Sequence, residues 1–304
     1  MAGPVEGRPQ DPRRLEIHGQ MTVAVLMALC RYGAALMPML IFGACLMRAV
    51  GRLPYPAAAA AWQRRAATVG LLCAAALLPL QAATIAGEPA AMVQPALLWQ
   101  VATLTGYGQA WMAKAVLAVL LVGAAWRGAG NTALLWLAGG VLAATGASGH
   151  AAMHGGTIGL LHVSNNIVHI LCAAFWLGAL AVVLPLLHRW PRDQAEAGRA
   201  LARFSSAGHW AVAGVMATGA LNTWLILRDA GLNLQSPYQW LLALKAGLAL
   251  LMAALALANR YYWVPRLARG GQAMRVLRRQ AAMVLCAGLA AVLLVSLLGM
   301  LSPA

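Results

Sequence analysis

Long apolar runs, separated by short basic connections, constrain this chain more than any other feature. Of its 304 residues 62% are hydrophobic and 10% charged, whereas a soluble domain carries about a quarter of its residues as charges. A helix needs about 20 mainly apolar residues to cross the ~30 Å hydrocarbon layer. Eight runs approach that length, over residues 21–50, 66–85, 108–126, 132–148, 165–188, 204–228, 238–263 and 276–301. No period-2 alternation of the kind a membrane barrel requires is present. The expected fold is therefore all-α: a polytopic membrane bundle of about eight transmembrane helices. Residues 1–20 read as a polar N-terminal tail and 21–304 as one helical bundle. The first run is longer than a signal-peptide core and ends in no small-x-small cleavage site, so it reads as a retained span.

A formal charge of +15 invites nucleic acid as a partner, but the placement of the charges points to the bilayer. The connections after spans one, three, five and seven hold Arg48, Arg52, Arg64 and Arg65; Arg127; Arg189, Arg192, Arg199 and Arg203; and Arg260, Arg266, Arg269, Arg275, Arg278 and Arg279. The opposite side holds Arg8, Arg13, Arg14 and Arg228. Arginine and lysine are retained on the cytoplasmic side. Both termini and the histidine loop are thus expected on the outer side, the periplasm in a Gram-negative cell, with the basic tail as the one exception. No nucleic-acid role is expected.

Four of the seven histidines fall in one short stretch. His150, Met153, His154, His162 and His169 lie between Ser148 and Leu180, which contain no Lys, Arg, Asp or Glu. Imidazole suits copper, zinc and iron, and thioether selects Cu(I). His150, Met153 and His154 are spaced i, i+3, i+4 and share a face if that segment is helical. His162 and His169, seven apart, share another if the fifth span starts early. Ionisable groups at membrane depth are costly and mark ion paths; the alternative is a loop of solvated histidines. Asn165 and Asn166 can orient an imidazole or cap the helix.

Other polar groups fit less specific roles. Lys114 is expected to snorkel or to bond a carbonyl, and Arg31 and Lys245 to face the interior near Asn222. His188 and His209 sit toward the basic side. Met37 and Met39, beside Pro38, read as core. Cys30, Cys45, Cys73, Cys172 and Cys286 form no Cys-x-x-Cys pair, so they read as small buried hydrophobes without disulfides. The connection 86–107, with Met92, Trp99 and Tyr107, reads as an interfacial helix. The spans carry no acid of the kind a proton-coupled carrier uses, and the chain has no phosphate-binding loop. It reads as neither an ATP-driven pump nor an enzyme.

The run Ser148-Gly149-His150-Ala151-Ala152, then Leu161-His162, then His169 leading to Trp176-Leu177-Gly178-Ala179-Leu180, resembles the bacterial copper resistance protein D (CopD) family. Arg203-Phe204-Ser205, Thr218-Gly219 with Asn222, Tyr238, Lys245 and Asn259-Arg260 follow in that family's order, and Arg31 and Phe42-Gly43 are similar to its first span. The resemblance implies an inner-membrane protein that imports copper, as Cu(I) or Cu(II), and works beside a periplasmic CopC-like copper carrier. It matches His150, His162 and His169 to the family's histidines; His154 and Met153 lie in a variable loop. Asn165 and Asn166 stand where an acidic residue is expected. A competing reading is a haem-binding b-type membrane cytochrome that carries electrons, with His169 and His209 on facing helices.

Overall fold

The computed structural model of the chain describes residues 12–149, 153, 155–189, 194–233, 235–269 and 271–302, with the side chains of 12–18, 189, 194–197, 229 and 267–269 left aside. The described residues form nine α-helices and no strand: α1 (Pro12–Gly51), α2 (Ala57–Ala86), α3 (Pro95–Leu104), α4 (Gly106–Trp126), α5 (Asn131–Gly146), α6 (Gly156–Arg189), α7 (Gln194–Ala230), α8 (Pro237–Ala258) and α9 (Gly271–Leu298). A 3₁₀ turn over Pro89–Val93 precedes α3, and a π-helical segment over Asn259–Trp263 follows α8. All eight apolar runs are helical, as lipid demands of any chain that must satisfy its own backbone. The connection 86–107 contains the helix α3, on which Trp99 is 71% exposed.

Seven helices are long and apolar enough to span. The other run is α5, whose sixteen residues reach about 24 Å at 1.5 Å per residue. Contacts show the helices running alternately up and down. Asn131, at the start of α5, donates to the Cys45 carbonyl near the end of α1; Asn166 of α6 donates to Gly146 at the end of α5; Arg203, early in α7, reaches Gly51. One end of the bundle thus gathers the arginines of the connections, and the other gathers the start of α6 with its histidines. We call these the arginine end and the histidine end.

The bundle is drawn together where α1 crosses α6. A Cβ on Gly43 would lie 2.6 Å from Gly178 Cα and overlap the Ala174 carbonyl, and a Cβ on Gly178 would lie 2.5 Å from the Met39 carbonyl. Backbones this close are possible only between small residues, which carry helix association in lipid by van der Waals contact. Ala44, Ala174 and Ala179 are fully buried around the crossing, with Met47, Phe175 and Trp176 filling the space beyond. Met39 is core, as expected. Placing a side chain on Gly43 or Gly178 is expected to destabilise the fold by about 1–3 kcal/mol, the usual cost of overpacking. Thermal unfolding of Gly43→Val in detergent checks this, against Gly123→Val, whose Cβ meets nothing within 4 Å.

Candidate functional site

The histidine stretch divides in three. His150 and His154 lie outside the described residues. Met153 is 51% exposed, placed at the surface of the histidine end. His162 and His169 are both inside α6, which begins at Gly156 and not near Asn165. Their spacing of seven puts them on one stripe, with Asn165 and Cys172 between and beyond. His162 is 1% exposed.

That stripe faces α7, and polar side chains bridge the two helices. His169 Nδ1 lies 3.0 Å from Thr218 Oγ1. Asn165 Nδ2 donates to the Thr218 carbonyl at 2.9 Å and to Asn222 Oδ1 at 2.8 Å. Asn222 Nδ2 donates to Asn166 Oδ1 at 3.1 Å, and Asn166 Nδ2 passes the chain on to Gly146 of α5 at 2.9 Å. The asparagines therefore do not cap their own helix, α6. They form a ladder joining α5, α6 and α7, in which each amide hydrogen that is used finds an acceptor, as a nonpolar setting requires.

The ladder fixes how His169 is presented. The Thr218 hydroxyl donates to the Gly214 carbonyl, so its oxygen can only accept from the ring. The tautomer assigned from this network carries its proton on Nδ1 and leaves the Nε2 lone pair available. That is the arrangement by which histidines are oriented for metals, one nitrogen held and the other coordinating. Gly219 lets α7 pass the ring closely: a Cβ there would lie 3.2 Å from His169 Cε1. Lys245, half-buried on α8, lies within electrostatic range of the ring.

Several sequence expectations change here. Asn222 is not the partner of Arg31 or Lys245, because its amide is used by Asn165 and Asn166. Arg31 instead packs its guanidinium at Gly299, just beyond the end of α9, and couples to Tyr107. Lys114 bonds a hydroxyl and not a carbonyl: its Nζ reaches Ser148 Oγ, just past the end of α5, at 3.4 Å. His209 is held at the arginine end, where Nδ1 donates to the Ser205 carbonyl at 2.8 Å and Nε2 accepts from Tyr261 Oη at 3.3 Å. Thr218 and His209 are nine positions apart on α7, about 13 Å along the axis. His169, beside Thr218, and His209 thus do not face one another as a haem-ligating pair.

Sequence reasoning also missed a second polar network, at the arginine end. Tyr55 Oη donates to Gln63 Oε1 at 2.5 Å, and Gln63 Nε2 donates to Cys45 Sγ at 3.0 Å. Burial pushes the Tyr55 phenol up, which keeps its proton in place to donate. The signal for both networks is a polar residue one or two turns from another inside an apolar run, as with Thr218 and Asn222. Thr218→Val removes the acceptor that holds His169 Nδ1–H. The ¹⁵N shifts of His169 are expected to change from a single Nδ1–H tautomer to a mixture, while Thr218→Ser keeps the wild-type spectrum.

Comparison with known proteins points to one family. The family model described as Copper resistance protein D-like, N-terminal domain, matches residues 21–160, and that described as Copper resistance protein D matches 198–298. Inner membrane protein YebZ of Escherichia coli (strain K12) is 35% identical over 218 residues, covering 67% of this chain and 71% of YebZ. Copper resistance protein D of Pseudomonas syringae pv. tomato is 30% identical over 257 residues, covering 78% and 82%. Copper transport protein CutJ of Bacillus subtilis (strain 168) is 29% identical over 191 residues, 59% of this chain but 35% of CutJ. Matched by both models and by relatives of this similarity and coverage, this multi-pass membrane protein belongs to the copper resistance protein D family.

Proposed function

We propose that this inner-membrane protein imports copper through a path entered at the histidine end. The observation that carries the reading is His169: a half-buried imidazole inside α6, held at Nδ1 by Thr218 so that its lone pair stands on Nε2. His162 lies two turns nearer the end on the same stripe of α6. His150, His154 and Met153 precede it in the chain and serve as the entry set, receiving copper from a periplasmic CopC-like carrier. Imidazole and thioether together hold Cu(I) well, and imidazole alone accepts Cu(II). Copper passes between such sites by ligand exchange. Several sites of moderate strength let the ion leave again, which conduction requires.

The charge distribution supports the direction. With the arginine end in the cytoplasm, the histidine end and both termini face the periplasm. The whole of 21–304 then acts as one bundle carrying one path. No covalent chemistry is needed, so the protein works as a permease and not as an enzyme. Alkaline phosphatase fused after Ala304 is expected to be active, and an inactive fusion would reverse the direction proposed here.

The test of the site is copper content. Cells producing His162→Ala, His169→Ala protein are expected to accumulate no more copper than cells lacking it, with the purified variant still monodisperse. Wild-type accumulation by that variant would sink the assignment. Elemental analysis of the purified wild type from copper-fed cells is expected to find copper and no stoichiometric iron.

A further inference from the structure

The two matched segments leave one sulfur cluster unassigned. Cys30 on α1 and Cys73 on α2 read in the sequence as small buried hydrophobes, but the two thiols lie close enough to interact. Gly33, one turn from Cys30, makes the meeting possible. A Cβ there would lie 2.5 Å from Cys73 Sγ, so the sulfur of α2 occupies the space that any other residue would fill. Both cysteines are free thiols. Cys30 packs in one cluster with Met27 and Met92, which brings two thioethers into the same neighbourhood as two thiols.

The surroundings fit a charged guest. Arg31, next in the chain, is an intramembrane guanidinium coupled to Tyr107 and Lys114, and among the described residues no salt bridge to a carboxylate accompanies it. Tyr107 Oη donates to the Leu77 carbonyl at 3.3 Å and Trp111 Nε1 to the Ala74 carbonyl at 2.6 Å, which pins α2 on either side of the turn after Cys73. An unneutralised cation in lipid is costly, and a nearby anion would lower that cost.

We propose that Cys30 and Cys73 form a second copper site, a bis-thiolate for Cu(I) with Met27 and Met92 as supporting thioethers. It rests on the copper reading above and names a soft station separate from the histidines. Binding replaces two S–H bonds by two Cu–S bonds: one Cu⁺ enters, two protons leave to water at the histidine end, and the complex carries one negative charge. Copper stays Cu(I) throughout. Thiolate and thioether select that ion over Cu(II), zinc and calcium.

The experiment is an anaerobic Cu(I) titration of the full chain in lipid nanodiscs against a chromogenic Cu(I) chelator, with X-ray absorption at the copper edge. Wild type is expected to show sulfur scattering from two short ligands. Cys30→Ser and Cys73→Ser are each expected to weaken the tightest site by at least about tenfold, equivalent to 1.4 kcal/mol. Cys286→Ser, an exposed thiol elsewhere, is expected to change nothing. Gly33→Ala keeps both thiols but displaces one, and is expected to weaken binding too. Only nitrogen or oxygen scattering, or unchanged affinity in the Cys30→Ser, Cys73→Ser double variant, overturns the site. So does a Cys30–Cys73 disulfide whose reduction restores no Cu(I) binding. The two readings fail separately: normal copper uptake without copper–sulfur scattering overturns this site alone, and sulfur-bound copper without uptake overturns transport alone.

Discussion

Lipid offers no hydrogen-bond partner to a buried amide, so every polar side chain placed in a membrane helix has to be answered by another part of the protein. The ladder Asn166–Asn222–Asn165–Thr218–His169 is how this chain meets that constraint. Each of these side chains alone would be a liability. Together they fix the register of α6 on α7, because a one-residue slip of either helix would leave the amides unpaired. Individual interhelical hydrogen bonds in membranes contribute only about 0.6 kcal/mol on average. The ladder therefore acts more through geometry than through energy. What it specifies is the angle at which one imidazole stands.

The arginine end obeys the same constraint by other means. The last carbonyls of every helix lack an intrahelical partner. Arg203 donates to Gly51 at the end of α1, and Arg278 to Leu187 near the end of α6. Arg260 reaches Ser205 from the π-helical segment. Arginines that read as topological markers in the sequence thus also close helix ends and tie neighbouring helices. The π-helical turn carries Arg260 and Tyr261 to the same place on α7, where they surround His209. Such turns are commonly found where a helix must aim a side chain at a site.

The helical runs, the family and the histidine stretch were legible in the sequence because hydropathy and residue spacing report them directly. The start of α6 was not: Gly155, Gly156 and Thr157, followed by His162, Ser164, Asn165 and Asn166, lower the apolar signal over two turns that are nonetheless helical. Those polar residues are helical because α5 and α7 answer them, which is information held in tertiary structure. Thr218 stood in the quoted motif without a role, since its role depends on a hydroxyl already committed to Gly214. The meeting of Cys30 and Cys73 depends on the helix pairing of α1 with α2 and on the missing side chain of Gly33. No spacing rule within one helix contains that.

The shortness of α5 has a consequence for the membrane itself. Its last residue, Gly146, lies against Ile167, where a Cβ would be 2.9 Å from the Ile167 backbone, while α6 continues from there to Gly156, about 16 Å farther by its rise. A helix of about 24 Å facing a ~30 Å hydrocarbon layer is accommodated by thinning of the bilayer or by drawing interfacial groups inward. A ~30 Å layer that meets α5 has to thin beside it. On the import path proposed above, the electrostatic work of bringing copper from water to the level of Asn166 and His169 would fall with that thickness, and the lipid chain length of the host membrane would enter the barrier.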